Sequence, residues 1–478
     1  MVENIYHMLD VPKKENVANM GSKLYKNLEK ICIVLIIMLQ GWVYLIVPTS
    51  NNGDATEYIK IALELFETDS EFKFLRLFGY PLLLKVFSVN LEFINLFFFF
   101  QSIFFVFTVI FFANKVCKNE KIRFIIYAPA LVPSIAYMQK IIFPDGIITS
   151  LILLLFALIM DKKLIKAFVV SLILVTVKLV FVFLLVYVML CILYEKKQAV
   201  KTRLSLIVIY FCFIFCLLPA IYIIKPFPLY QTIVQVPSSF DNTASPVRTP
   251  TILEFTCGGV FQEVTDPSLL EKITWHSASE FYMPFGPDFA AERNCSKEDM
   301  RNLQRQLIRH YLREAPEQQA LKFLNHFSRS FFVLAQNYHL DYMLLLKLRL
   351  LKDHYAWNTD YLESQVKNFK RYYIDPPRQP SYYLFDTLYD LNKKMLLFLS
   401  IASGFVVICF VFTMARMKKP DEKMLHIVAF LLSYNFIITA FAFLYDRYLY
   451  VNFFMWMALG CLIVARSVEK KSLEKIKN

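Results

Sequence analysis

Apolar runs of about 18–20 residues, each long enough for a helix to cross a bilayer, recur along this chain between short clusters of Lys and Arg. No other feature restricts the fold as much. A backbone in lipid must satisfy its own hydrogen bonds, and it does so only as helix or as closed barrel. Runs of this length point to helices. Composition agrees: the 478 residues are 57% hydrophobic and 16% aromatic, with 47 Phe, only 10 Gly and a mean hydropathy of +0.45. That is more apolar surface than a soluble chain of this size can bury. The predicted class is an all-α polytopic membrane protein.

Ten spans are predicted, near 31–48, 91–113, 124–138, 142–160, 164–177, 179–194, 204–224, 395–415, 424–444 and 449–466. Segments 1–30, 115–123, 161–166, 195–203, 416–423 and 466–478 hold five, four, three, four, four and five basic residues. The short loops 138–145 and 445–448 between them hold one each, Lys140 and Arg447. This alternation follows the positive-inside rule with both termini cytoplasmic. It describes a multi-pass protein of the cell inner membrane. A single helix over 165–194 would break the pattern, so the chain is expected to break at Lys178. The first apolar run lacks a small-residue cleavage site and reads as a true span. The net charge of +13 lies in these loops, where it signals topology and not nucleic-acid binding.

Two longer segments then face outward, 48–90 and 225–392. The organisation expected is a membrane module over 1–224 with a first outer loop (49–90), an outer, mostly helical domain over 225–394, and membrane helices with a cytoplasmic tail over 395–478. Asp145, Lys178, Asp54, Arg76, Arg447 and Tyr448 all fall on the outer side. An ionised side chain at membrane depth costs at least about 2.5–3.5 kcal/mol, so such residues usually line a cavity or a functional path. Only Cys257 and Cys295 lie in the large outer loop, where they form a candidate disulfide; two separate thiols are the alternative. No Cys/His spacing matches a zinc site.

In the first outer segment Tyr58, Ile59, Ala62, Leu63 and Phe66 repeat at helical spacing, with Glu57, Lys60, Glu64 and Glu67 on the other face. This predicts an amphipathic helix suited to the bilayer surface. Asp54 and Glu57 have the spacing of a capping box, a structural role compatible with a chemical one. Gly79-Tyr80-Pro81 marks a turn into a further helix, and in the large loop Pro316 opens a helix toward Leu334.

An acidic residue after the first span (Asp54, with Tyr58), Tyr-Pro-Leu-Leu-Leu at 80–84, Phe-Pro-Asp-Gly at 143–146, Thr-Val-Lys at 176–178 and Asp-Arg-Tyr at 446–448 follow one another on one side. In this order the chain resembles the GT-C superfamily of integral membrane glycosyltransferases, in its bacterial branch of protein mannosyltransferases and aminoarabinose transferases. The acidic motif is Gly-Asp-Ala where the family often has Asp-Glu, and a proline common after its Arg-Tyr is absent.

The resemblance implies a polyprenyl-phosphate sugar as donor, inverting transfer in a single displacement, and an acceptor that is lipid A, another glycan or a protein. The attacking hydroxyl then needs a carboxylate base, for which Asp54 matches the family's position. The departing lipid phosphate needs cations, with Lys178 and Arg447 as first choices and Arg76 and Lys140 behind them. Asp145, Glu57, Tyr58 and Tyr448 are substrate-binding candidates, Asp145 either touching a sugar hydroxyl or holding one of those cations. Neither a cofactor nor a metal dependence is fixed by these residues. Two other functions stay open. An O-antigen polymerase or ligase-like enzyme would place its key arginines, such as Arg305, Arg309 or Arg329, in the large loop. A flippase or transporter would carry inverted repeats and helices broken at mid-membrane.

Overall fold

The computed structural model describes residues 14–46, 53–64, 77–89, 91, 93–195, 200–224, 253–255, 261–263, 313, 316–332, 382–416, 421–441 and 446–477. The structure is mostly helical. Helix α1 (Lys14–Ile46) is followed by α2 (Gly53–Glu64), α3 (Gly79–Phe87) and α4 (Ile94–Val116). A broken segment over 120–140 leads to α5 (Asp145–Met160), α6 (Leu164–Val177), α7 (Val182–Tyr194) and α8 (Val200–Ile224). After a small antiparallel ribbon of β1 (Leu253–Phe255) and β2 (Phe261–Glu263) come α9 (Pro316–Phe332), α10 (Tyr382–Arg416), α11 (Glu422–Phe441) and α12 (Asp446–Lys477).

Four stretches among the described residues are long and apolar enough to cross a membrane: Asn27–Leu45, Ile94–Val116, Thr387–Ala415 and Tyr450–Val468. These mark a membrane protein. Helices α5, α6 and α7 are apolar but shorter, and they pack with α4 in sequence order. Helix α4 is apolar on every side. Its Phe97, Phe98, Phe105 and Phe112 are buried, while Phe99, Phe100 and Phe107 stay exposed, as a helix between protein and lipid requires.

The charged loops meet at one end of the bundle. Arg123 pairs with Glu29 at 3.1 Å, Lys115 with Asp161 at 2.9 Å, Lys162 with Glu422 at 3.2 Å and Arg466 with Asp421 at 3.3 Å. Lys423 Nζ donates to the Lys115 carbonyl at 2.7 Å. Segments 1–30, 115–123, 161–166, 416–423 and 466–478, grouped on one side by their basic residues, are therefore in direct contact. The carboxyl of Asp161 is held below the usual carboxylate range, first by Lys163 and then by Lys115.

The structure departs from the expected elements at three places. The third, 124–138, is not one helix: a 3-10 stretch over Phe124–Leu131 contains Pro129, and Pro133 opens a separate turn after an extended Val132. Each proline removes a backbone donor and disfavours helix just before it. The segment is held instead from outside, where Asn392 Oδ1 accepts from the Ser134 amide at 2.9 Å. Second, the helix expected from 395 begins at Tyr382, which carries the buried Asn392 into the bundle. Third, the amphipathic helix α2 does not lay its apolar face on lipid. Ala55, Tyr58, Ile59 and Ala62 are buried, with α3 packed against them.

A candidate site at the break between two short helices

The chain breaks at Lys178 as expected. Helix α6 stops at Val177, Lys178 takes extended backbone (φ −155°, ψ 119°), Leu179–Phe181 form a 3-10 turn, and α7 runs back along α6. The Lys178 amide donates to the Leu174 carbonyl at 2.9 Å, which closes the end of α6.

Lys178 Nζ lies 4.0 Å from Asp145 Oδ1. The Asp145 side chain is 4% exposed and that of Lys178 26%, so the carboxylate forms the floor and the ammonium opens outward. Asp145 opens α5 after Pro144, and Gly146 behind it permits close packing. A Cβ at Gly146 would stand 2.5 Å from Gln101 Nε2 and 2.8 Å from the Met138 carbonyl oxygen. Asp145 and Lys178, two of the site residues expected from the sequence, thus lie side by side.

A second glycine brings the first outer segment to the same place. A Cβ on Gly79 would lie 2.5 Å from the Thr176 carbonyl carbon and 2.6 Å from its oxygen, so α3 starts directly on the last turn of α6. Tyr80 is fully buried, edge-on to Tyr58 of α2 at 5.0 Å between ring centres and to Phe97 at 5.8 Å. The helix that has Asp54 in its first turn is thereby tied, through Tyr58 and Tyr80, to the break at Lys178. Four of the five motifs quoted above thus converge at the end of the bundle opposite the charged loops. The fifth, at the start of α12, lies at that same end, because Arg466 near the other end of the helix belongs to the charged cluster.

The backbone of Asp54, Glu57, Arg447 and Tyr448 is helical, and their side chains lie outside the described residues. Arg76, Cys257 and Cys295 lie outside them altogether. Lys140 has a structural place. Its Nζ donates to the Tyr44 carbonyl in the last turn of α1 and stands 5.6 Å from the centre of the Tyr44 ring. A cation there satisfies an orphan carbonyl and the negative end of the helix dipole. Burial pushes the Lys140 ammonium down to about 8.

Sequence reasoning missed the buried amides. Gln101 and Gln139 lie over Gly146, and Asn452 Nδ2 donates to Asn435 Oδ1 at 2.8 Å and to the Ser330 carbonyl at 3.3 Å. That last network moors α9 to α11 and α12, beside a contact of Phe323 with Phe436. The signal was present for Gln101, Asn435 and Asn452, since an amide inside an apolar run is costly to bury unless it finds a partner. Among the described residues no group of three His, Cys, Asp or Glu side chains is placed to hold a metal ion.

Comparison with protein-family models, curated proteins and solved structures gives no significant match. The likeness to the membrane glycosyltransferases rests on the motifs quoted from the sequence.

Proposed function

We propose that this chain is a membrane glycosyltransferase that moves a sugar from a polyprenyl-phosphate donor to a lipid, glycan or protein acceptor on the extracytoplasmic side. The observation that carries the reading is the Asp145–Lys178 pair at a helix break, tied to the helix of Asp54. Helices α5 and α6 are about 24 and 21 Å long, against a hydrocarbon thickness of about 30 Å. With the charged end at the cytoplasmic interface, the pair sits roughly 6–9 Å below the outer one. A lysine held there by a buried carboxylate and open on one side suits the phosphate of a lipid whose tail stays in the bilayer.

In this reading the acceptor hydroxyl attacks the anomeric carbon and its proton passes to the Asp54 carboxylate. The bond from that carbon to the phosphate oxygen breaks, and the lipid phosphate leaves with the electron pair. Lys178, with Arg447, offsets the charge that develops on it. Asp145 occupies one side of Lys178, so this reading assigns Arg447, at the start of α12, the complementary share of the phosphate charge.

Reconstituted protein supplied with a radiolabelled hexosyl polyprenyl phosphate and an envelope glycan or glycoprotein fraction tests this. Label should enter the acceptor, and Asp54→Asn should abolish the transfer. Movement of the lipid between leaflets with no new glycosidic bond would instead identify a transporter. Loss of activity on changing Arg305 or Arg309, with Asp54→Asn active, would favour the polymerase or ligase-like enzyme.

A further inference from the structure

Two buried amides beside the Asp145–Lys178 pair have no part in the mechanism above. Gln101 is 2% exposed and Gln139 fully buried, and both lie against Gly146 at the start of the sixteen-residue helix α5. Gln101 Nε2 donates to the Gln139 carbonyl at 3.3 Å. Gln101 Oε1 and both amide atoms of Gln139 have no hydrogen-bond partner among the described residues. Because both ends of the Gln139 amide are concerned, turning that amide over changes nothing. A buried polar atom without a partner is unfavourable, and an apolar side chain of the same size would relieve the penalty. Stability alone therefore does not favour this cluster.

We infer that Gln101 and Gln139, together with Asp145, form the subsite that holds hydroxyl groups of the donor sugar. The inference rests on the transferase reading. A sugar hydroxyl both donates and accepts, and the free amide atoms offer acceptors and a donor, while the carboxylate adds an acceptor. Phosphate belongs on the open side of Lys178, away from the Asp145 carboxylate, and a polyprenyl tail has no use for amides. The cation of the pair, Lys178, is its more exposed member. Phosphate at Lys178 and sugar hydroxyls at the amides would orient the donor along the start of α5.

The test uses the full-length protein in lipid nanodiscs and two probes, a polyprenyl phosphate and the same lipid carrying one glucosyl or mannosyl unit. Gln139→Leu should melt no lower than the parent and keep its Kd for the bare lipid. Its Kd for the hexosyl lipid should rise roughly five- to tenfold. Gln101→Leu is read the same way and stands in if Gln139→Leu fails to fold. An equal loss for both lipids, or no loss, overturns the subsite. A parent that binds the bare lipid but gains nothing from the hexose also overturns it and leaves the transferase reading intact. A parent that binds neither lipid sinks that reading and the subsite with it.

Discussion

Asp145 Oδ1 and Lys178 Nζ come within 4.0 Å where α5 begins and α6 ends, so two isolated charges in apolar sequence are partners. One is buried and the other is partly open. That asymmetry decides what each substitution should do.

Lys178→Met leaves the buried carboxylate without its ammonium. The loss should fall between that of an exposed pair and that of a fully buried one, about 2 kcal/mol by thermal unfolding in detergent. Adding Asp145→Asn should recover part of the stability and none of the sugar transfer. Equal stability of the single and double variants would show that the pair is not coupled.

Gly79→Ala and Gly41→Ala should act in opposite directions. At Gly79 the new methyl meets backbone atoms of Thr176, which no rotamer change can clear, so a loss of about 1–3 kcal/mol is expected. Nothing stands within 4 Å of a Cβ at Gly41, inside α1, where alanine should stabilise by up to about 1 kcal/mol. Melting temperatures of the two variants check both signs.

Asn452→Leu removes the donor to Asn435 Oδ1 and to the Ser330 carbonyl. With both acceptors in the core, the cost should be about 1–3 kcal/mol. The segment 316–332 should become more open to proteolysis, which limited digestion with mass spectrometry would reveal. Unchanged cleavage there would mean that the asparagines do not moor α9.

Lys140 gives a pH signature of uncommon sign. Its proton affinity falls from the ordinary 10.5 to about 8 on burial. Below about 8 the lysine is charged in both folded and unfolded chains, and the burial penalty is fully present. As pH rises from about 8 toward 10.5 the unfolded chain holds the extra proton, so this residue's contribution to stability increases. Lys140→Met should flatten that rise in a stability profile measured over the same window. A profile identical to that of the parent would rule out the lysine as its source.

Much of the architecture was legible because hydropathy and charge are properties of short stretches. The break at Lys178 followed from the alternation of basic loops, and five of those six segments do meet at one end of the bundle. The helix from Pro316 was likewise visible, because proline suits the first position of a helix. Less legible was the third apolar run, where Pro129 and Pro133 outweigh hydropathy. The surface-helix expectation for α2 failed because α3, another short helix, offers Tyr80 as a partner for its apolar face.

By itself the sequence determined the class of the protein, the grouping of its charged loops and the point where α6 must end, since each depends only on residues close together in the chain. Tertiary structure alone decided that Asp145 faces Lys178, that Gly79 seats α3 on Thr176, and that Gln101 and Gln139 share the space over Gly146. Those relations depend on the packing of distant segments at van der Waals distance, which no local pattern encodes.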